Sequence, residues 1–444
     1  MQSPFKPLSV ALVLYVSLVS AAHATALNVL QIYDLALQND PTLQEAEANR
    51  NALLEVKPQS LARLLPSLSV VGSVNANRYD TTNTFSRQQL GLQYFWDSHV
   101  SLKLSQPIYH HDYWLQLSQA DNQIAEAEAE FVAEQQNLLL RSAKAYFGVL
   151  LAQNAHTYAQ AEQLSLAKQL QEMQRRLAVG AGALPEVQDA QAGFDQALAE
   201  ALEAERKLKA ARNELTEILG APVSALTPLR QDWQPVTPEP NNAADWLQWA
   251  AQNNLSLIAA GHHAEAARKT VEVQFAGHLP TLDLVGNVGT TDTDRPQGLI
   301  SNSQTVGLQL NVPIYLGGMV DSKVRQAEFQ YQAALKHVDK QRRAAERQTQ
   351  DAFEAVQTAI GRLQALATAR QSGEISVAAT EKGLEIGTRS VAELLTAKRN
   401  LARIRRDYEQ AKYDYLLNSL QLKLAAGLLG RNDLEAVNAW LSER

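Results

Sequence analysis

Between Thr305 and Val312 the chain alternates strictly. Val306, Leu308, Leu310 and Val312 are apolar, Thr305, Gln309 and Asn311 are polar, and Gly307 is small. A period of two is that of a half-buried strand. Pro313 ends the alternation and Gly317-Gly318 turn the chain. From Met319 to about Leu384 no proline occurs, and apolar residues recur at helical spacing. At roughly 1.5 Å per residue, such a helix reaches on the order of 100 Å. It breaks at Ile386-Gly387-Thr388-Arg389 and resumes as a returning helix from Ser390.

The first part of the chain carries the same succession. Val29 to Arg63 has a helical pattern interrupted at Asp40-Pro41. After Leu65-Pro66 the residues Leu68, Val70, Gly72 and Val74 share one face of a predicted strand. A polar stretch, about 77–89, reads as a loop. The next strand carries Leu90, Leu92, Tyr94, Trp96, Val100, Leu102 and Leu104 in one phase and is predicted to stop at Pro107. A proline-free helical run from about Asp112 to Leu177 follows, broken at Val179-Gly180-Ala181-Gly182. A second helix with Pro185 in its first turn then runs to about Leu219.

Two registers of direct similarity tie these parts together. Leu279-Pro280-Thr281-Leu282-Asp283-Leu284 echoes Leu65-Pro66-Ser67-Leu68-Ser69-Val70, and Pro313-Ile314-Tyr315 echoes Pro107-Ile108-Tyr109. A third is Ile386-Gly387 followed by Glu393, matching Val179-Gly180 followed by Glu186. The reading is a tandem duplication: residues 25–220 as a first repeat, 243–430 as a second, a proline-rich linker over 221–242, and a C-terminal helix over 431–444.

Residues 1–24 read as a secretory signal, with Lys6, an apolar run from Leu8 to Val19 and small residues at Ala22 and Ala24. No later stretch has the roughly 20 apolar residues of a spanning helix, so any membrane crossing falls to strands. Leu68, Val70, Leu102, Leu104, Leu282, Leu284, Leu308 and Leu310 are the candidate membrane-facing positions. Strands of about 9–11 residues match the height of a barrel wall. Four strands cannot close a barrel, since known ones start at about eight, so if these strands cross a membrane several copies must share one: eight strands would give a lumen filled by side chains, whereas the about twelve of a trimer leave a passage. Val324, Tyr331, Val338, Ala345, Ala352, Ala359 and Leu366 fall seven apart, a seam that serves equally the wall of a tube and a solid bundle.

The net charge of −7 and the pI near 5.8 exclude the basic surface that nucleic-acid binding needs. The absence of cysteine excludes disulfides, thiolate metal sites and N-terminal lipidation at Cys. The chain lacks a phosphate-binding P-loop, a G-x-S-x-G elbow and an H-E-x-x-H pair. No enzymatic activity, cofactor or metal is therefore expected. His110-His111-Asp112 lacks the helix-face spacing of a metal site and reads as a polar junction in which Asp112 caps a helix.

Gly277 to Leu284 (GHLPTLDL), Leu310 to Val320 (LNVPIYLGGMV) and Gly387-Thr388-Arg389 with Glu393-Leu394-Leu395 resemble the TolC family of outer-membrane efflux channels, over nearly all of the chain after the signal. The resemblance implies an α+β membrane protein: a homotrimer with a shared twelve-stranded barrel in outer-membrane lipid, continuous with a long periplasmic α-helical barrel. An equatorial belt would come from the linker and C-terminal segment. The implied partners are a periplasmic adaptor protein and an inner-membrane pump or ABC transporter, as in tripartite efflux and type I secretion. The inter-helix turns would form the tip where the tunnel narrows and the adaptor docks: Val179, Gly180 and Gly182 in one, Ile386, Gly387 and Thr388 in the other. In the family's gate an Arg matching Arg389 bonds an acid matching Glu186. Here Leu384 stands at the family's gate tyrosine and Pro185 at a threonine. Glu393 and Thr396 stand at its two tunnel-facing acids, so one acidic ring is missing.

Each tip acid also has a local reading. Ser390-Val391-Ala392-Glu393 is a capping-box pattern, and Glu186 sits in a first turn where the helix dipole favours a carboxylate. Arg389 reads either as the gate or as a solvated cation. Tyr109, Trp114 and Tyr315 fit either an interfacial aromatic girdle or core packing. Lys340 to Arg347 and Lys398 to Arg406 read as solvated helix faces. Two other functions fit part of the pattern: a soluble periplasmic coiled-coil scaffold, and an ungated porin.

Overall fold

The computed structural model describes residues 26–83, 88–230, 233–294 and 299–441; the predicted signal lies outside them. Helices α1 (Val29–Asn39), α2 (Pro41–Leu54) and α3 (Val56–Ala62) precede strands β1 (Ser67–Asn83) and β2 (Gln88–Tyr109), and then α4 (His111–Ala178) and α5 (Leu184–Leu219). After the linker come α6 (Ala243–Asn253), α7 (Leu255–Phe275), β3 (Thr281–Thr293), β4 (Leu299–Asn311), α8 (Met319–Glu385), α9 (Val391–Ala425) and α10 (Arg431–Asn438). Among the described residues no helix is long and apolar enough to cross a membrane.

The strands form one antiparallel sheet in the order β1-β2-β3-β4. Two features correct the sequence reading. The polar stretch expected as a loop is mostly ladder: Asn77 pairs with Phe95, Arg78 with Tyr94 and Tyr79 with Gln93. Its side chains are polar, but an antiparallel partner satisfies its backbone, and that satisfaction is what makes a strand. Likewise β2 does not end at Pro107 but continues to Tyr109 through an irregularity against β3 between those residues. A bulge admits a proline because it needs no N–H there. The strands are therefore 13 to 22 residues long, longer than a membrane crossing requires.

Helices α4 and α8, of 68 and 67 residues, each run about 100 Å. The seam of α8 also departs from the sequence reading. In its first half the fully buried row is Val320, Ala327 and Ala334, four residues ahead of the expected Val324, Tyr331 and Val338, which are half-buried. An eleven-residue step then leads to Ala345, Ala352 and Ala359. A strict heptad drifts about 20° per repeat on a straight helix, and an eleven-residue step offsets that drift.

The core is a belt around the middle of the long helices. Leu138, Leu139, Tyr146 and Phe147 of α4 pack with Ile32 of α1, Val356 of α8, Leu416 and Leu420 of α9, and Leu434 of α10. The linker closes over it: the Tyr146 hydroxyl donates to Thr227 O at 2.6 Å, that of Tyr415 donates to Val236 O at 2.5 Å, and Trp233 packs on Tyr415 and Trp440. Buried Asp40 caps α2 at Leu43 N (2.8 Å) and takes two bonds from Arg141 of α4, both 3.2 Å, fixing the kink between α1 and α2.

Candidate functional site: a two-faced sheet and a pair of helical tips

The ladder sorts the sheet into two faces. Leu68 pairs with Leu104, Val70 with Leu102, Leu282 with Leu310 and Leu284 with Leu308. Across the centre Leu102 pairs with Val288 and Leu104 with Gly286. All eight candidate membrane-facing residues thus lie on one face, and Leu68, Val70, Leu308 and Leu310 are strongly exposed. The opposite face carries Ser69 against Lys103, Ser73 against His99, Lys103 against Asn287, and Asn287 against Thr305. Among the described residues β1 and β4 each have a strand neighbour on one side only.

At the sheet–helix junction His110 Nε2 meets both oxygens of Asp283 at 3.1 and 3.2 Å and its ring stacks on Tyr113 at 4.4 Å. His110 thereby ties the start of α4 to β3. Tyr109, Trp114 and Tyr315 are exposed near the same end, so none of them packs in the core of this chain.

At the far end of the helices the two turns share one geometry. Val179 ends α4 and Gly180 follows at φ 75°, with Gly180 N bonded to Leu177 O (3.0 Å) and Ala181 N to Arg176 O (2.8 Å). Ile386 ends α8 and Gly387 follows at φ 76°, with Gly387 N bonded to Leu384 O (3.1 Å) and Thr388 N to Gly383 O (2.8 Å). This double bond pattern absorbs the last carbonyls and requires a left-handed residue, hence glycine at both turns. It leaves Val179 and Ile386 projecting, 78% and 75% exposed. Gly182 lies against Arg176 and Leu177, where a Cβ would meet atoms at 3.1 Å.

The acids beside these turns are bonded within their own helices. Glu393 Oε2 accepts from Ser390 N (2.7 Å) and Oε1 from Arg389 Nη1 (2.8 Å), completing the capping box. The Ser390 amide first, and then the Arg389 guanidinium, hold the Glu393 carboxyl below its ordinary range. Glu186 Oε2 accepts from Ala183 N at 3.3 Å. Within one chain, then, Arg389 is bonded to Glu393 rather than to Glu186. Thr396 bonds back to Ala392 O at 2.8 Å, and Leu384 is half-buried.

Sequence reasoning missed Gly383. Its carbonyl accepts from Thr388 N, Arg389 N and Thr388 Oγ1, and a Cβ there would lie 2.6 Å from Arg389 Cγ. A second turn-proximal glycine in Gly383-Leu384-Glu385-Ile386-Gly387 was the available signal. The basic run of α9 is a solvated face, with Lys398, Arg399, Arg403, Arg405 and Arg406 all exposed. Lys398 and Arg405 pair with Glu381 and Glu374 of α8, whereas Arg399, Arg403 and Arg406 line a groove against α4 and α5. By contrast Arg342 and Arg347 make exposed pairs with Asp339 and Asp351 within α8.

A family model described as outer membrane efflux protein matches residues 32–221 and 246–428. The outer membrane protein TolC of Vibrio cholerae is 34% identical over 419 residues, covering 93% of this chain and 94% of that protein. The alkaline protease secretion protein AprF of Pseudomonas aeruginosa is 31% identical, covering 94% and 88%. The solved outer membrane channel CmeC of Campylobacter jejuni shares the fold, with a TM-score of 0.78 at 17% identity over 93% of this chain and 88% of that one. The chain belongs to the outer membrane efflux protein family, and is a non-enzymatic channel component of the outer membrane that extends into the periplasm.

Proposed function

We propose that three copies of this chain close one twelve-stranded barrel in the outer membrane and one twelve-helix tunnel beneath it, giving passive exit to substrates delivered by an inner-membrane pump. The observation that carries this reading is the sheet: four strands, one face apolar and exposed, the other polar, with a neighbour missing on the outer side of β1 and of β4. In hydrocarbon every backbone polar group must be paired, so β4 of one copy pairs with β1 of the next until the ring closes. The apolar face then meets outer-membrane lipid and the Lys103, His99 and Asn287 face lines the lumen.

The two halves of the chain act as repeats of one unit. Each has two strands, a helix of 68 or 67 residues and a returning helix of 36 or 35. The linker and C-terminal segment build the equatorial belt. The tip turns form the periplasmic aperture, with Arg389 shared between Glu393 at the start of α9 and Glu186 at the start of α5, and the projecting Val179 and Ile386 receive a periplasmic adaptor. The relationship to a protease secretion protein supports a type I secretion role beside efflux.

The test is the mass and image of the detergent-purified particle. Three chains per particle and an elongated outline with a tapered end are expected. A monodisperse monomer that stays soluble without detergent overturns the reading in favour of a periplasmic scaffold.

A further inference from the structure

The apolar face of the sheet ends in a specific pair. Along β2 the lipid-side positions run Leu104, Leu102, Val100 and then, past Ser98, Trp96 and Tyr94. Trp96 pairs with Ala76 and Tyr94 with Arg78 of β1. The Arg78 guanidinium lies 6.0 Å from the centre of the Tyr94 ring. Both side chains are exposed, and Arg78 has no carboxylate partner among the described side chains. The nearest acid position on the same face is Asp80, two residues farther along β1 and level with Leu92, and the next is Asp292, level with Ser98; Asp97 faces the other way and is held by Asn77. This end stands beyond β3, whose last residue, Thr293, pairs with Asp97.

Height decides what an arginine does here. Leu68 and Arg78 are ten residues apart on one strand, or about 33 Å of strand. At a barrel tilt of about 40° that is roughly 25 Å along the membrane normal, the height of an apolar band. Arg78 therefore stands where hydrocarbon gives way to headgroups, at the end remote from the helices. Tyr94, level with it, and Trp96, one pair nearer the helices, form the aromatic belt. A guanidinium is the side chain best shaped to grip phosphate oxygens, and a ring face can hold its plane.

We infer that Arg78, steadied by Tyr94, binds the phosphate of a lipid in the outer leaflet, once per protomer. This rests on the barrel reading above. The probe is diphosphorylated lipid A, titrated into the detergent-purified full chain and counted by native mass spectrometry. Arg78→Gln lowers its retention about tenfold and Arg78→Lys lowers it less, because the charge remains but the planar fork is lost. Dephosphorylated lipid A binds the native protein as weakly as the diphosphorylated lipid binds Arg78→Gln. Millimolar inorganic phosphate does not displace the lipid, since the apolar face holds the acyl chains. Unchanged retention by Arg78→Gln overturns the inference, as does displacement by free phosphate. A spin label at Val100→Cys in the cysteine-free chain separates the two readings. If that label is lipid-exposed while Arg78→Gln still retains lipid A, only the phosphate site fails; if it is water-exposed, the barrel reading fails with it.

Discussion

Arg389, in the turn just ahead of α9, donates from Nη1 to Oε1 of Glu393 in that helix's first turn, 2.8 Å away, and the same carboxylate closes the helix cap on Ser390. One ion pair thus serves both the start of α9 and the orientation of the only tip cation that the family resemblance assigns to gating. In the proposed gate, capping and gating are one arrangement, because the cap decides where the guanidinium is held.

Replacing Arg389 by Glu places a carboxylate beside Glu393 and, in the proposed trimer, near Glu186. Like charges at one site repel and push the turns apart. Conductance in planar bilayers rises about twofold or more, while the particle stays assembled. Unchanged conductance in intact trimers removes Arg389 from the gate.

The Glu393 carboxyl is depressed in the folded chain relative to an ordinary 4.5. A depressed acid contributes its stabilisation fully above its unfolded value and loses it as pH falls through the folded one. The start of α9 is therefore held at neutral pH and loosens only below about 4.5, toward the lowered folded value. Hydrogen exchange at Ser390 to Leu394 reads this directly, and Glu393→Gln abolishes the pH dependence. Protection that is flat down to pH 3 contradicts it.

Gly383→Ala sets two terms against each other. Alanine gains about 1 kcal/mol of helix propensity over glycine, but its Cβ would sit 2.6 Å from Arg389 Cγ. The arginine side chain must move, since the backbone carbonyl of Gly383 is tied by three donors. Thermal stability stays within about 1 kcal/mol of the native chain, while conductance shifts toward that of Arg389→Ala. A native conductance shows that Arg389 reaches Glu393 by another path.

Arg141→Met leaves the Asp40 carboxylate buried with only the Leu43 amide as partner. Stranding a buried charge costs about 3–5 kcal/mol, and the partial exposure of Arg141 brings this toward about 2–3 kcal/mol. Thermal unfolding in detergent falls accordingly, with conductance unchanged because the kink lies far along α4 from the tip. A stability equal to the native chain means that Asp40 is satisfied by its cap alone.

Much of this protein is legible in the sequence because it rests on local periods. The two-residue alternation around Leu308 and Leu310 and the glycine stops at Gly180 and Gly387 depend on near neighbours alone. So do the proline-free runs that became α4 and α8, and the capping box at Ser390 and Glu393. Tertiary structure decided whatever depends on a partner distant in sequence. The Asn77 to Asn83 stretch is strand because β2 satisfies its backbone, and no period of its own announces that. The buried row of α8 is shifted to Val320, Ala327 and Ala334 by the helices that lie against it. Tyr146 and Thr227 meet although 81 residues separate them, and Arg389, in the turn, pairs with the first turn of α9 because the turn at Gly383 points it there. Periodicity sets which side of an element is apolar, but only packing sets what that side touches.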